Sequence, residues 1–470
     1  MRRLSGYYFS GKSFVLSWLL VLVASGTAAA GGWKAAASRV VITPEKPMWL
    51  AGYASRDKPS EGTLHDLWAK VLVLEDSLGK KAVLITADLV GFPKPTVDRI
   101  RLQLAKKHRL SKAQIILNSS HTHSGPVLKD ALYDYYTRPI DDAHLKLIAD
   151  YTDRLEKKII AAVDEAIGRL KPAKVSASNG VARFQVNRRN NTEATLTPET
   201  QLRGPNDYAV PVMKVSGING EPIAIVFGYA CHPTVLSTYK WSGDYAGFAQ
   251  IELEKKFPGY TALFFQGAGA DQNPLPRRTE ALAEQYGLTL AAAVLATVNQ
   301  EMRQLVPVLN TGYREVELKL APVPTREELL KTESSAKDYS KTWARRLIDQ
   351  IDRGESLIQS YPYYPVQIWN LGGLNWVVLG GEVVVEYALK AKEIFGNETF
   401  VLGYSNDMMA YIPSLTVLTE GGYEGARSQV YFKGLSSTWD PGIEAVILSE
   451  LVKLADEMKV NKRYSRILGN

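Results

Sequence analysis

Four short apolar runs in this chain break off abruptly into small and polar residues. Ile115-Ile116-Leu117 leads through Asn118-Ser119-Ser120 to His121-Thr122-His123-Ser124-Gly125-Pro126. Pro222 to Ala230 ends at Cys231-His232-Pro233, Thr261 to Phe265 opens into Gly267-Ala268-Gly269-Ala270-Asp271, and Trp376 to Leu379 runs into Gly380-Gly381-Glu382. Runs this apolar and this short read as buried strands. A further pair, Ala69 to Leu74 and Lys81 to Ala87, flanks Ser77-Leu78-Gly79-Lys80 and reads as a hairpin. Between the strands lie stretches of helical character: Thr96 to His108 after Pro95, Asp142 to Leu170 behind an aspartate cap, Tyr245 to Lys256, Thr279 to Gln304, Arg326 to Gly354, and Gly442 to Met458. Strands alternating with helices predict an α/β fold, with mixed β-sheets layered with helices. There is no internal repeat and no low-complexity linker, so a single large domain is expected over 31–470.

The first thirty residues stand apart. Arg2, Arg3 and Lys12 precede an apolar stretch from Phe14 to Ala24, and Ala28-Ala29-Ala30 follows. That order is the signature of a secretory signal peptide over 1–30 and predicts export, to a periplasm or outside the cell. An uncleaved anchor is the alternative reading. The formal net charge is +7; without those three cations it is +4, which gives no warrant for nucleic-acid binding. Cys231 is the single cysteine, so no disulfide framework forms within the chain, and a thiol in an apolar run is expected to be buried and inert.

Chemistry-bearing residues collect where the apolar runs end, the usual place for a site in an α/β fold. Two of only six histidines stand at His121 and His123. In an extended backbone residues i and i+2 face one side, so both imidazoles are expected to leave the strand end together. Neutral imidazole is a good ligand for zinc. His232 reads as a ligand or as a satisfied core histidine. Glu382 reads as a helix cap or as a carboxylate paired with a cation or metal, because a buried carboxylate is costly otherwise. Gly267-Ala268-Gly269 lacks the Lys-Ser/Thr of a phosphate loop.

In this order the pieces resemble the neutral/alkaline non-lysosomal ceramidase family, a group of zinc-dependent amidases, from about residue 37 to about residue 435. His-Thr-His-Ser-Gly-Pro at 121–126 is its sharpest motif. His232 precedes Ser242-Gly243-Asp244, Glu382 stands in a Gly-Glu pair, and Tyr411 stands twelve residues before Tyr423-Glu424-Gly425-Ala426. The resemblance implies a Zn2+ ion held by His121, His232, Glu382 and Tyr411. It places His123, Tyr423 and Arg188 (from Val186-Asn187-Arg188) at the reaction centre, with Asn118 and His65 as candidate supporting groups. There is one departure: the family's active-site serine, in Gly-Asp-Val-Ser-Pro-Asn, is replaced by Asn273 in Ala270-Asp271-Gln272-Asn273-Pro274. Asn273 is therefore expected to contact substrate without acting as a nucleophile. The family's C-terminal β-sandwich is expected to be absent, since the last segment reads as helix and a short basic tail.

The implied activity is hydrolysis of an amide bond in a small-molecule or lipid N-acyl substrate by a metal-activated water. Transient contact with a membrane surface is compatible with such a substrate, and no obligate protein partner is implied. Two other readings compete. An amidohydrolase-type barrel would place more histidines at later strand ends, yet only His144 and His232 follow the pair. An exported binding protein with a degenerate site would not need all four ligands. Aromatic stretches such as Tyr361-Pro362-Tyr363-Tyr364 and Trp369 read as core or as an acyl channel.

Overall fold

The computed structural model describes residues 6, 32–131, 136, 140–428 and 434–463. Apart from Gly6, the expected signal segment lies outside them. A nine-stranded mixed sheet runs in the order Thr261–Gln266, Pro222–Tyr229, Ala209–Gly217, Lys171–Val181, Trp33–Val41, Trp68–Glu75, Lys81–Ala87, Ile115–Ser119, with the short strand Arg303–Gln304 pairing Lys171–Val181. The two outermost steps are parallel, and those between them are antiparallel. A four-stranded sheet, Leu309–Lys319, Ser360–Leu371, Leu374–Leu379 and Phe400–Leu402, packs on one face of it.

Strand alternation builds the layers. Val71 and Val73 join a cluster with Val97, Ile100, Leu155 and Ile159, from helices Lys94–His108 and Asp142–Gly168. Leu72 and Leu74, on the other face, join Trp369, Leu371, Trp376 and Phe400 between the two sheets. Each large apolar side chain fully buried there contributes about 1.5–3 kcal/mol. Helices Asp244–Lys256 and Glu280–Val298 cover Val212, Ile225, Phe227 and Phe264. Glu280–Val298 is long and apolar enough to cross a membrane; here Ala283, Leu290, Ala291 and Val294 bury it in this core. The fold is thus α/β with mixed sheets and flanking helices, as expected.

Asn118, near the end of one edge strand, bonds to the other. Its Oδ1 accepts the Gln266 N–H at 2.9 Å, and its Nδ2 donates to the Gly403 carbonyl at 2.8 Å and to that of Gln266 at 3.3 Å. The loops that follow the strands at both edges and the strand Phe400–Leu402 are thereby drawn to one place.

Three sequence expectations are corrected. The predicted helix from Thr279 to Gln304 ends at Val298, and Arg303–Gln304 joins the sheet instead. The stretch from Arg326 to Gly354 is two helices, Arg326–Ser335 and Ser340–Asp352, which bury Leu329, Ala344, Leu347 and Ile348 against each other. The strand before the histidine pair extends to Ser119, and His121 then adopts φ 62°, so the pair does not sit on extended backbone. Its convergence comes from a turn rather than from strand alternation.

Candidate active site

His121, His232 and Glu382 are 1%, 0% and 5% exposed and meet at the ends of three separate strands. The His121 Nδ1 is 2.6 Å from the Val90 carbonyl and the His232 Nδ1 is 2.8 Å from that of Gly269. A carbonyl only accepts, so each Nδ1 carries the proton and each Nε2 presents a lone pair. Both Nε2 atoms face the Glu382 Oε2, at 3.2 and 3.3 Å. Glu382 is held by a parallel ladder of Glu382–Val383 on Tyr411–Ile412, with Glu382 opposite Tyr411. It does not cap the following helix, whose N-cap is Val384. The Nε2 of His123 lies 3.2 Å from that of His121, and ligand nitrogens of His121, His123 and His232 all lie within 4.8 Å of one another.

The fit of a metal ion to these groups can be judged from the atoms themselves. The His232 Nε2 and the Glu382 Oε2 are buried and have no hydrogen-bond partner. Two lone-pair nitrogens cannot bond to a carboxylate oxygen that also has no proton, whereas a cation among them would satisfy all three. Donors around a tetrahedral ion with bonds of ~2.0–2.1 Å stand ~3.3 Å apart. The separations of 3.2 and 3.3 Å match, and the residues fit a divalent ion. Burial by itself pushes the Glu382 carboxyl up, so its ionised form needs positive charge beside it. Burial, then Arg188, lowers His232 to about 4, and burial with the other two histidines lowers His123.

Above this cluster is a cavity of about 780 Å³, lined by His123, Arg188, Asn273, Tyr411 and Tyr423 among others. The antiparallel ladder of Gln185–Asn187 on Gln272–Pro274 brings Arg188 beside Asn273. The Arg188 guanidinium donates through Nε to the Glu424 Oε1 at 2.7 Å, through Nη1 to the Asn273 Oδ1 at 3.3 Å, and through Nη2 to the Tyr411 oxygen at 3.2 Å. Burial opposes its charge, but Tyr411 and Glu424 favour it more and raise its pKa further above the ordinary arginine range. The Tyr423 ring stands 5.4 Å from that of Tyr411. All eight site residues predicted from the sequence are therefore in this one neighbourhood.

Gly52 shows how tightly His123 is seated. Gly52 has φ +98°, and a Cβ there would lie 2.4 Å from the His123 Cγ. The Tyr53 ring packs edge-on against His123 at 4.7 Å. Tyr53 and Tyr404, whose ring lies 4.4 Å from His121, escaped the sequence reading. Tyr404 carried a usable signal, because it follows the strand Phe400–Leu402 just as the other site residues follow theirs. Asp271 was also unassigned: it accepts from the Val385 N–H at 2.9 Å and the Asn187 Nδ2 at 3.1 Å, tying the strands of Arg188 and Asn273 to the segment after Glu382. Asn118 and His65 support the backbone. The His65 Nε2 accepts the Gly243 N–H at 2.8 Å. Cys231 is buried. The aromatic residues of the strand Ser360–Leu371 lie away from the cavity lining: Tyr364 and Trp369 are core, and Tyr361 bonds to Asp407.

Known proteins share this fold and part of this sequence. Residues 41–272 match the family model for neutral/alkaline non-lysosomal ceramidase, N-terminal. Neutral ceramidase B of Dictyostelium discoideum is 26% identical over 250 residues, which takes in 48% of this chain and 33% of that protein. The match thus spans about a third of the relative's length. The neutral ceramidase of Pseudomonas aeruginosa superposes with a TM-score of 0.70 at 18% identity, over 93% of this chain and 76% of that one. A ceramidase complexed with C2 superposes with a TM-score of 0.70 at 17% identity, over 93% and 77%. Over residues 41–272 the chain is thus similar to the N-terminal part of neutral/alkaline non-lysosomal ceramidases, and its fold is that of the Pseudomonas aeruginosa neutral ceramidase.

Proposed function

We propose that this protein is an exported zinc-dependent hydrolase that cleaves the amide bond of an N-acyl, ceramide-like substrate. The observation that carries the reading is the meeting of the His121 Nε2, the His232 Nε2 and the Glu382 Oε2 at 3.2 and 3.3 Å, with both Nδ1 atoms tied to carbonyls. His121, His232 and Glu382 would hold the ion, with Tyr411 as the fourth ligand. Zinc bound there would act as a Lewis acid and would lower the pKa of a coordinated water from about 15.7 to about 7.

The chain's own groups divide the remaining work. The carbonyls of Val90 and Gly269 fix tautomer and ring orientation, the usual second layer behind metal-binding histidines. Arg188 holds the Tyr411 oxygen and, with Tyr423, faces the cavity where negative charge on a substrate carbonyl oxygen would develop. Loss of one such donor typically slows an acyl transfer about 100- to 1,000-fold. His123, at the cavity and backed by Gly52 and Tyr53, is placed to pass a proton to the departing amine. Asn273 accepts from Arg188 and presents its amide to the substrate. It stands where the family has a serine, and no covalent step through this position is needed. The test is release of fatty acid from a panel of N-acyl amines, short-chain ceramide included. Release should stop on chelation and return with zinc. No release from any N-acyl compound by zinc-replete protein would contradict the assignment.

A further inference from the structure

The cavity lining carries four arginines, Arg188, Arg189, Arg277 and Arg278, against two glutamates, Glu193 and Glu424. Three of the arginines are paired with carboxylates. Arg188 and Arg189 share Glu424, Arg189 also pairs with Glu420, and Arg277 pairs with Glu193. Arg278 has no carboxylate within ion-pair distance among the described residues. Its one side-chain hydrogen bond goes from Nη1 to the Tyr53 oxygen at 3.2 Å, and its guanidinium lies 5.5 Å from the Tyr53 ring. Asp244, near enough to feel its charge, is buried and accepts the N–H groups of Val235, Leu236 and Tyr245. A guanidinium has five N–H donors in a planar fork, so most of this one's capacity is open to a ligand.

Its position gives that capacity a purpose. The same Tyr53 ring that Arg278 covers packs against His123 at 4.7 Å, so the cation is one aromatic ring away from the reaction centre. Arg278 itself sits at φ 94°, with its N–H bonded to the Val235 carbonyl at 2.7 Å. This is a backbone region that side-chain-bearing residues rarely enter and that costs energy to hold.

We propose that the N-acyl substrate of this site carries an anionic group, a carboxylate or a phosphate, and that Arg278 binds it. The proposal rests on the hydrolase reading above and narrows its substrate class. Paired oxygens of a carboxylate or a phosphate both match the arginine fork, and a charge-assisted pair beside His123 orients the amide for attack.

Three probes with one acyl chain separate the possibilities: N-hexanoylglycine, N-hexanoylphosphoethanolamine and neutral N-hexanoylethanolamine. At least one charged probe should exceed the neutral one in kcat/KM by about tenfold or more, and Arg278→Gln should cut that preference roughly ten- to hundredfold, mainly through KM. Arg278→Lys should recover part of it. The carboxylate and phosphate arms identify which anion is read. Equal kcat/KM for charged and neutral probes, or an Arg278→Gln effect equal on all three, would overturn the proposal. If short-chain ceramide is hydrolysed and none of the three probes is, the proposal is overturned; if no N-acyl compound is hydrolysed, the hydrolase reading fails and binding decides the anion site alone. Calorimetric binding of the charged probes that is lost in Arg278→Gln would support it, and binding that persists would overturn it.

Discussion

Glu382 and Tyr411 are direct partners in a parallel two-stranded ladder, although they belong to different loops. Neighbours in register share a face of the ladder, so the carboxylate and the phenol are presented together by backbone alone. The Glu382 N–H bonds to the Ala410 carbonyl at 2.9 Å, and the Trp439 indole bonds to the Tyr411 carbonyl at 2.7 Å. Tyr411→Phe leaves all of these contacts and removes one oxygen. We expect it to weaken zinc affinity or turnover by about 10–100-fold, while urea denaturation reports a stability loss of only about 1–2 kcal/mol. Unchanged affinity and turnover would remove Tyr411 from the site.

Gly52 should be irreplaceable for rate. An added Cβ would sit 2.4 Å from the His123 Cγ, and the positive φ makes any side chain costly. Gly52→Ala is expected to displace the imidazole and lower kcat about 100-fold, the usual cost of misplacing a reacting group by about an ångström. Bound zinc should be retained. Steady-state kinetics paired with metal analysis distinguishes this from general unfolding.

Asn118 tests the architecture rather than the chemistry. Asn118→Ala would leave the Gln266 N–H without its acceptor inside the core and leave the Gly403 carbonyl with the Ser405 hydroxyl as its remaining side-chain donor. A loss of about 2–4 kcal/mol is expected in chemical denaturation. A loss below about 0.5 kcal/mol, the level of an ordinary surface change, would show that the two edges do not depend on this side chain.

The contrast between these residues shows what could be read in advance. His121, His232 and Glu382 were legible because each ends an apolar run, and burial of polar groups at such points demands a reason. Tyr411 was legible only through its spacing from Tyr423-Glu424-Gly425-Ala426. Strands such as Lys171–Val181 and Ala209–Gly217 were not singled out, since Lys174, Ser176, Lys214 and Ser216 interrupt their apolar pattern. Their membership depends on partners distant in sequence. The left-handed turn at His121 and the role of Tyr53 were hidden for the same reason: neither has a local signature, and both follow from the way the loops pack.

Acid sensitivity should have an assignable part. Burial lowers the His65 pKa from 6.5 to about 4, so the folded protein keeps this imidazole neutral while the unfolded chain protonates it. More protons are then bound unfolded than folded between pH 6.5 and about 4. The contribution is complete above pH 6.5 and is lost as pH falls through that window, up to about 3 kcal/mol. His65→Gln removes the titration. Thermal melts of the two proteins should diverge in slope below pH 6.5, the wild type falling faster. Parallel curves would contradict a neutral buried His65.

Elemental analysis of the purified wild type beside His121→Ala tests the central claim most directly. The account predicts about one zinc per wild-type chain and less than about a tenth of that in the variant, because a single imidazole lost from so small a donor set removes most of the affinity. A wild type that hydrolyses N-acyl substrates without bound metal, or a His121→Ala protein that keeps its zinc, would contradict it.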